Sequence, residues 1–72
     1  MKISYDQETD AAYIQLSEQK PSGVVEMAEG VNLDVTEDGK IVGIEILDAT
    51  QKIPLKSLFS CEYEPMMMMG NA

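Results

Sequence analysis

Asp38-Gly39, set between two stretches in which every second residue is apolar, constrains this 72-residue chain more than any other feature. On one side Val31, Leu33 and Val35 alternate with Asn32, Asp34 and Thr36; on the other Val42, Ile44 and Ile46 alternate with Gly43 and Glu45. A period of two belongs to a strand with one buried face, because successive side chains of a strand point to opposite sides. An Asp-Gly pair between such strands favours a two-residue type I′ turn, whose central residues both need positive φ. That turn pairs Glu37 with Lys40, Val35 with Val42, Leu33 with Ile44 and Val31 with Ile46, which puts every apolar residue on one face. The other face takes Asn32 opposite Glu45, Asp34 opposite Gly43 and Thr36 opposite Ile41. A three-residue loop would set Val35 beside Ile41 and Leu33 beside Gly43 and turn Val42, Ile44 and Ile46 to the polar side, and is rejected on that ground.

The same period predicts further strands over Lys2–Tyr5, with Ile3 and Tyr5 on one face, and over Ala12–Leu16, with Ala12, Ile14 and Leu16 on one face. Glu18 to Gly23 reads as a turn from its Pro21, Ser22 and Gly23, Val24–Met27 as a short strand, and Ala28-Glu29-Gly30 as a tight turn or bulge. Beyond Asp48 the period changes. Pro54 is expected in the first turn of a short helix whose apolar stripe is Leu55, Leu58 and Phe59, with Asp48 and Thr50 as candidate caps. The expected fold is α+β: an antiparallel meander of about five short strands with the Asp38-Gly39 hairpin, and a short C-terminal helix on its apolar face. Residues 1–60 read as one domain. Residues 61–72, which include Cys61, Tyr63 and Met66 to Met69, follow neither period and read as a disordered acidic, Met-rich tail.

Charge narrows the partners. Five lysines stand against thirteen acids for a net charge of -8, with no arginine and no histidine. Nucleic-acid binding draws its affinity from cations that neutralise phosphates, and Lys2, Lys20, Lys40, Lys52 and Lys56 are scattered among acids. The same deficit excludes an anionic membrane surface. The net negative field favours a basic protein partner, a cation or simply solubility, the commonest of the three. Cys61 is the one cysteine, so no internal disulfide forms, and no apolar run has the length of a signal peptide or a membrane span; both point to the cytoplasm.

Candidate chemistry is sparse. Asp34, Asp38 and Glu45 fall at calcium-loop positions, with Gly39 where the loop needs its glycine, but such a loop lies between two helices and the flanks here are strands. These three residues are kept as the alternative reading, a carboxylate-based cation or small-ligand binder. Asp6, Glu8 and Asp10 resemble the start of another such loop, yet Ala11 and Ser17 stand where glycine and glutamate are required. Cys61 has no histidine to activate it, and Tyr5, Tyr13 and Tyr63 read as core-edge or interface residues. No catalytic residue and no cofactor is called for. A 72-residue core leaves little margin over chain entropy, so a homodimer is expected, formed through a sheet edge or the helix stripe.

Three segments carry a family resemblance. Met1-Lys2-Ile3-Ser4-Tyr5-Asp6 with Glu8-Thr9-Asp10-Ala11-Ala12-Tyr13-Ile14, then Gly30 to Val35, then Gly39 to Ala49 with its Gly43-Ile44-Glu45-Ile46-Leu47-Asp48-Ala49 close, resemble the YuzE-like family (domain of unknown function 2283) over about residues 1 to 59. The resemblance implies a small prokaryotic or phage-type protein without an established activity, some relatives of which are suspected antitoxins. It carries over no catalytic residue. The function expected from all of this is a small acidic, non-enzymatic protein-interaction module, antitoxin-like toward a small basic protein.

Overall fold

The structure is a computed structural model and describes residues 1–60 and Pro65. Five strands, β1 (Lys2–Asp6), β2 (Ala11–Gln15), β3 (Gly23–Ala28), β4 (Val31–Val35) and β5 (Ile41–Leu47), form one antiparallel sheet, followed by the single-turn helices α1 (Ala49–Lys52) and α2 (Leu55–Leu58). The α+β class is as expected; the strand order is not that of a meander. It runs β1-β2-β5-β4-β3, so the chain leaves β2, crosses over β5 and β4, and enters the sheet again at the far edge. Three strand spacings are about 14 Å, which the segment from Leu16 to Ser22 spans easily at roughly 3.3 Å per residue. A meander would have left β5, the strand richest in isoleucine, as an unpaired edge. Between β2 and β4 it has a partner on both sides, and β1 and β3 take the edges.

Cross-strand registers align into straight rows. Ile3, Ile14, Ile44, Leu33 and Val25 form one row across all five strands, and Tyr5, Ala12, Ile46, Val31 and Ala28 the next on that face. On the opposite face lie Ser4, Tyr13, Glu45, Asn32 and Glu26, then Lys2, Gln15, Gly43, Asp34 and Val24. One face is therefore apolar and the other predominantly polar, with Val24 of β3 the one aliphatic side chain in the polar rows.

The hairpin between β4 and β5 corrects the expected turn. Gly39 has φ 88, and Asp38 is not among the positive-φ residues, so the turn is not type I′. Instead the Thr36 carbonyl accepts from the Gly39 N–H at 3.0 Å and the Thr36 N–H donates to the Lys40 carbonyl at 2.8 Å, a three-residue loop with glycine in the left-handed position. Val35 accordingly pairs with Ile41, yet Leu33 still faces Ile44 and Val31 faces Ile46, because the register shifts between Asp34 and Val35. Val42, the residue of β5 left without a partner in β4, takes up the difference and is buried. The closing charge pair is also different: Lys40 approaches Asp38 at 3.9 Å, both exposed, rather than Glu37. Such a pair contributes about 1 kcal/mol at most.

The core is small and sits at one end of the apolar face. Ala12, Ala49 and Leu58 are buried together, with Ile3, Tyr5, Ile46, Ile53 and Leu55 packed around them. The helical part is two turns instead of one helix, with Pro54 at the N-cap of α2 rather than inside it. Phe59 leaves the expected stripe: it is 69% exposed and touches Tyr5 edge-on, with ring centroids 6.5 Å apart. Among the described residues no helix is long and apolar enough to cross a membrane. The tail expected over 61–72 lies outside the described residues apart from Pro65. Leu58→Ala is expected to cost about 2–4 kcal/mol and Phe59→Ala roughly 1 kcal/mol or less, measured by urea denaturation; equal losses would contradict this placement of the core.

Candidate functional site

The polar face is organised around Gly43. Tyr13 and Glu45 are register partners, and from there the Tyr13 ring leans across β5 over Gly43, so that its hydroxyl donates to Asp34 Oδ2 at 2.8 Å. No other residue fits beneath it: a Cβ on Gly43 would overlap the Tyr13 hydroxyl and come 3.0 Å from the Ile14 carbonyl oxygen. Beside this pair Asn32 Nδ2 donates to Glu45 Oε1 at 3.1 Å. All four side chains are half-buried. The Asp34 hydrogen bond raises the Tyr13 pKa above its ordinary 10, helped by partial desolvation and by the negative charges of Asp34 and Glu45.

A second polar cluster fastens the helices to the sheet. Asp10 turns the β1–β2 loop with φ 55 and accepts from the Tyr5 hydroxyl at 2.8 Å, the Thr50 hydroxyl at 2.7 Å and the Thr50 N–H at 3.1 Å. Its own carbonyl accepts from the Ala49 N–H at 2.9 Å. Asp48, the N-cap residue of α1, has φ 52 and makes no side-chain cap, so Asp10 supplies the cap from the other end of the sequence. The Thr50 and Tyr5 hydrogen bonds hold the Asp10 carboxyl below the usual range, with a smaller contribution from Lys52. The same carboxylate raises the Tyr5 pKa.

The three carboxylates of the alternative reading do not come together. Asp34 and Glu45 lie on the polar face with Tyr13 and Asn32, whereas Asp38 stands at the hairpin tip, hydrogen-bonded by the Thr36 hydroxyl. Among the described residues no group of three His, Cys, Asp or Glu side chains is placed to hold a metal ion. Of the upstream acids, Asp6 Oδ1 accepts from the Glu8 N–H at 3.0 Å, Asp10 forms the helix clamp, and Glu8 is exposed. Cys61 and Tyr63 lie outside the described residues. Tyr5 packs at the core edge as expected. The role of Tyr13 was not legible in its own segment; the signal was Gly43, an isolated glycine in a strand pattern, which marks close approach by another group.

A family model described as protein of unknown function (DUF2283) matches residues 2–49. The chain belongs to this family. The matched stretch of the DUF2283 chain holds all five strands, the Tyr13–Gly43–Asp34 arrangement and Asp10, and ends at Ala49, ahead of α2 and Leu58. Among curated proteins and among solved structures nothing matches it. Gly43→Ala is expected to destabilise by about 1–3 kcal/mol through overpacking, although alanine elsewhere in a strand is favoured over glycine. Both Gly43→Ala and Asp34→Asn are expected to bring one tyrosine back toward its ordinary pKa in an ultraviolet titration; an unchanged curve would contradict the contact. Because the Asp10 pKa is lowered on folding, its contribution to stability is complete above the ordinary aspartate range and is lost as pH falls through the folded value. Asp10→Asn should therefore lower the melting temperature at neutral pH and flatten its fall in acid.

Proposed function

We propose that this DUF2283 protein is a non-enzymatic interaction module that binds a small basic protein through the polar face of its sheet, as an antitoxin-like neutraliser in a prokaryotic cytoplasm. The observation that carries this reading is the way charge is sorted between the faces. Glu26, Asp34 and Glu45 occupy the two polar rows against Lys2 alone, and the two apolar rows hold no charge. Lys40–Asp38 at the hairpin tip is the one ion pair among the described residues, so the carboxylates of the sheet face carry no cation of their own. The Tyr13 and Asn32 hydrogen bonds hold two of them in fixed positions before any partner arrives, which reduces the entropy lost on binding. A face of this kind speeds association with a cationic surface and repels an anionic one. The net charge of -8 acts in the same direction and disfavours nucleic acid.

Co-expression with the products of the adjacent genes tests the reading. A basic neighbour should be captured by the full chain, released as salt is raised, and bound at least about ten-fold more weakly by the Glu26→Lys, Glu45→Lys double variant. If no neighbour's product binds and none is toxic when expressed alone, the neutraliser reading fails.

A further inference from the structure

We propose that the uncovered half of the apolar face, the row Ile44–Leu33–Val25 across β5, β4 and β3 with Val31 beside it, is the interface for a second copy of this chain. The helices reach only the other half, over Ile3, Tyr5, Ala12 and Ile46. Beyond their edge Leu33, Ile44 and Val31 are half-exposed and Val25 is 49% exposed, while no large apolar side chain among the described residues is fully buried. Of the helix stripe, Leu58 is already spent in the core of its own chain and Leu55 packs against it, which leaves Phe59 alone on that side.

A second copy fits this patch better than another partner, for two reasons. A chain with a net charge of -8 repels itself except through a surface free of charge, and the apolar rows are the part of the sheet that meets this condition. Packed face to face, two sheets stand about 10 Å apart with their acidic faces turned outward, so the repelling carboxylates stay in water on opposite sides. Shape gives the second reason. The helices raise one half of the face and leave the other low, and a two-fold axis running along the strands through the low half sets each copy's sheet into the other's step. Each helical layer then lies beside the partner's β3 edge, which is exposed along its whole length and otherwise offers unpaired backbone groups. The patch rests on four side chains per copy, so the dimer is weak and reversible. This inference concerns the face opposite the one proposed for the basic partner and stands apart from that reading.

Adjacent residues of β3 provide the test, because Val25 lies in the apolar row and Val24, 65% exposed, lies in a polar row. Sedimentation equilibrium of the full chain should show a concentration-dependent dimer that tightens as salt screens the charge of -8. Val25→Glu should weaken it about ten-fold or more while circular dichroism shows a folded chain, and Val24→Glu should leave it within about two-fold. A wild-type chain that stays monomeric at all concentrations would overturn the proposal. So would equal effects of the two variants, the outcome expected of edge-to-edge pairing, and so would a loss confined to Val24→Glu.

Discussion

The structure depends on one extra residue in its central strand. A three-residue turn at Glu37-Asp38-Gly39 imposes one register on β4 and β5, and the apolar residues of the two strands pair in a register one residue removed. Since a one-residue slip sends every side chain to the opposite face, both demands can be met only if one residue leaves the ladder. Val42 is that residue. Its carbonyl, turned the other way, accepts from the N–H groups of Leu16 at 2.7 Å and Ser17 at 3.1 Å, which ends β2 and releases the chain toward the far edge. Gly43 then falls on the polar face beneath Tyr13, and Ile44 and Ile46 fall on the apolar face.

The extruded residue leaves a sheet with two different surfaces and a minimal core. Side chains on one face close over Ala12 by way of helices too short to hold themselves, since a single hydrogen-bonded turn is unfavourable in isolation. Their position is set instead by Asp10, which accepts three hydrogen bonds from α1 and β1 together, and by Lys52, whose ammonium donates to the Leu47 carbonyl above Gly30. Gly30, with φ 75, leaves room for that lysine. The other face is held by the hydrogen bonds of Tyr13 to Asp34 and of Asn32 to Glu45, all four side chains half-buried.

Much of this architecture is legible in the residue pattern alone. The alternation of Val31, Leu33, Ile44 and Ile46 carries the pairing of β4 with β5 at four positions, and β1 and β2 share the same period. The turn type is not legible, because Asp-Gly serves both a type I′ pair and the last two positions of a three-residue loop, and only the compensating bulge distinguishes them. Strand order escapes the pattern because neighbours in sequence are the default neighbours in space, and nothing within Leu16 to Ser22 announces a crossing. Asp10 and Thr50 are forty positions apart. Long-range polar contacts of that kind leave no periodic trace, whereas Asp34, Asp38 and Glu45 are conspicuous for their spacing and prove to be divided between a sheet face and a loop tip.

The register at Val42 is most directly tested by nuclear Overhauser contacts across β5 in the folded chain. The structure requires contacts from Val35 to Ile41 together with contacts from Leu33 to Ile44 and from Val31 to Ile46, and contacts from the Tyr13 ring to the α-protons of Gly43. Val35 paired with Val42, or Leu33 paired with Gly43, would mean that no residue is extruded at Val42 and would contradict the account.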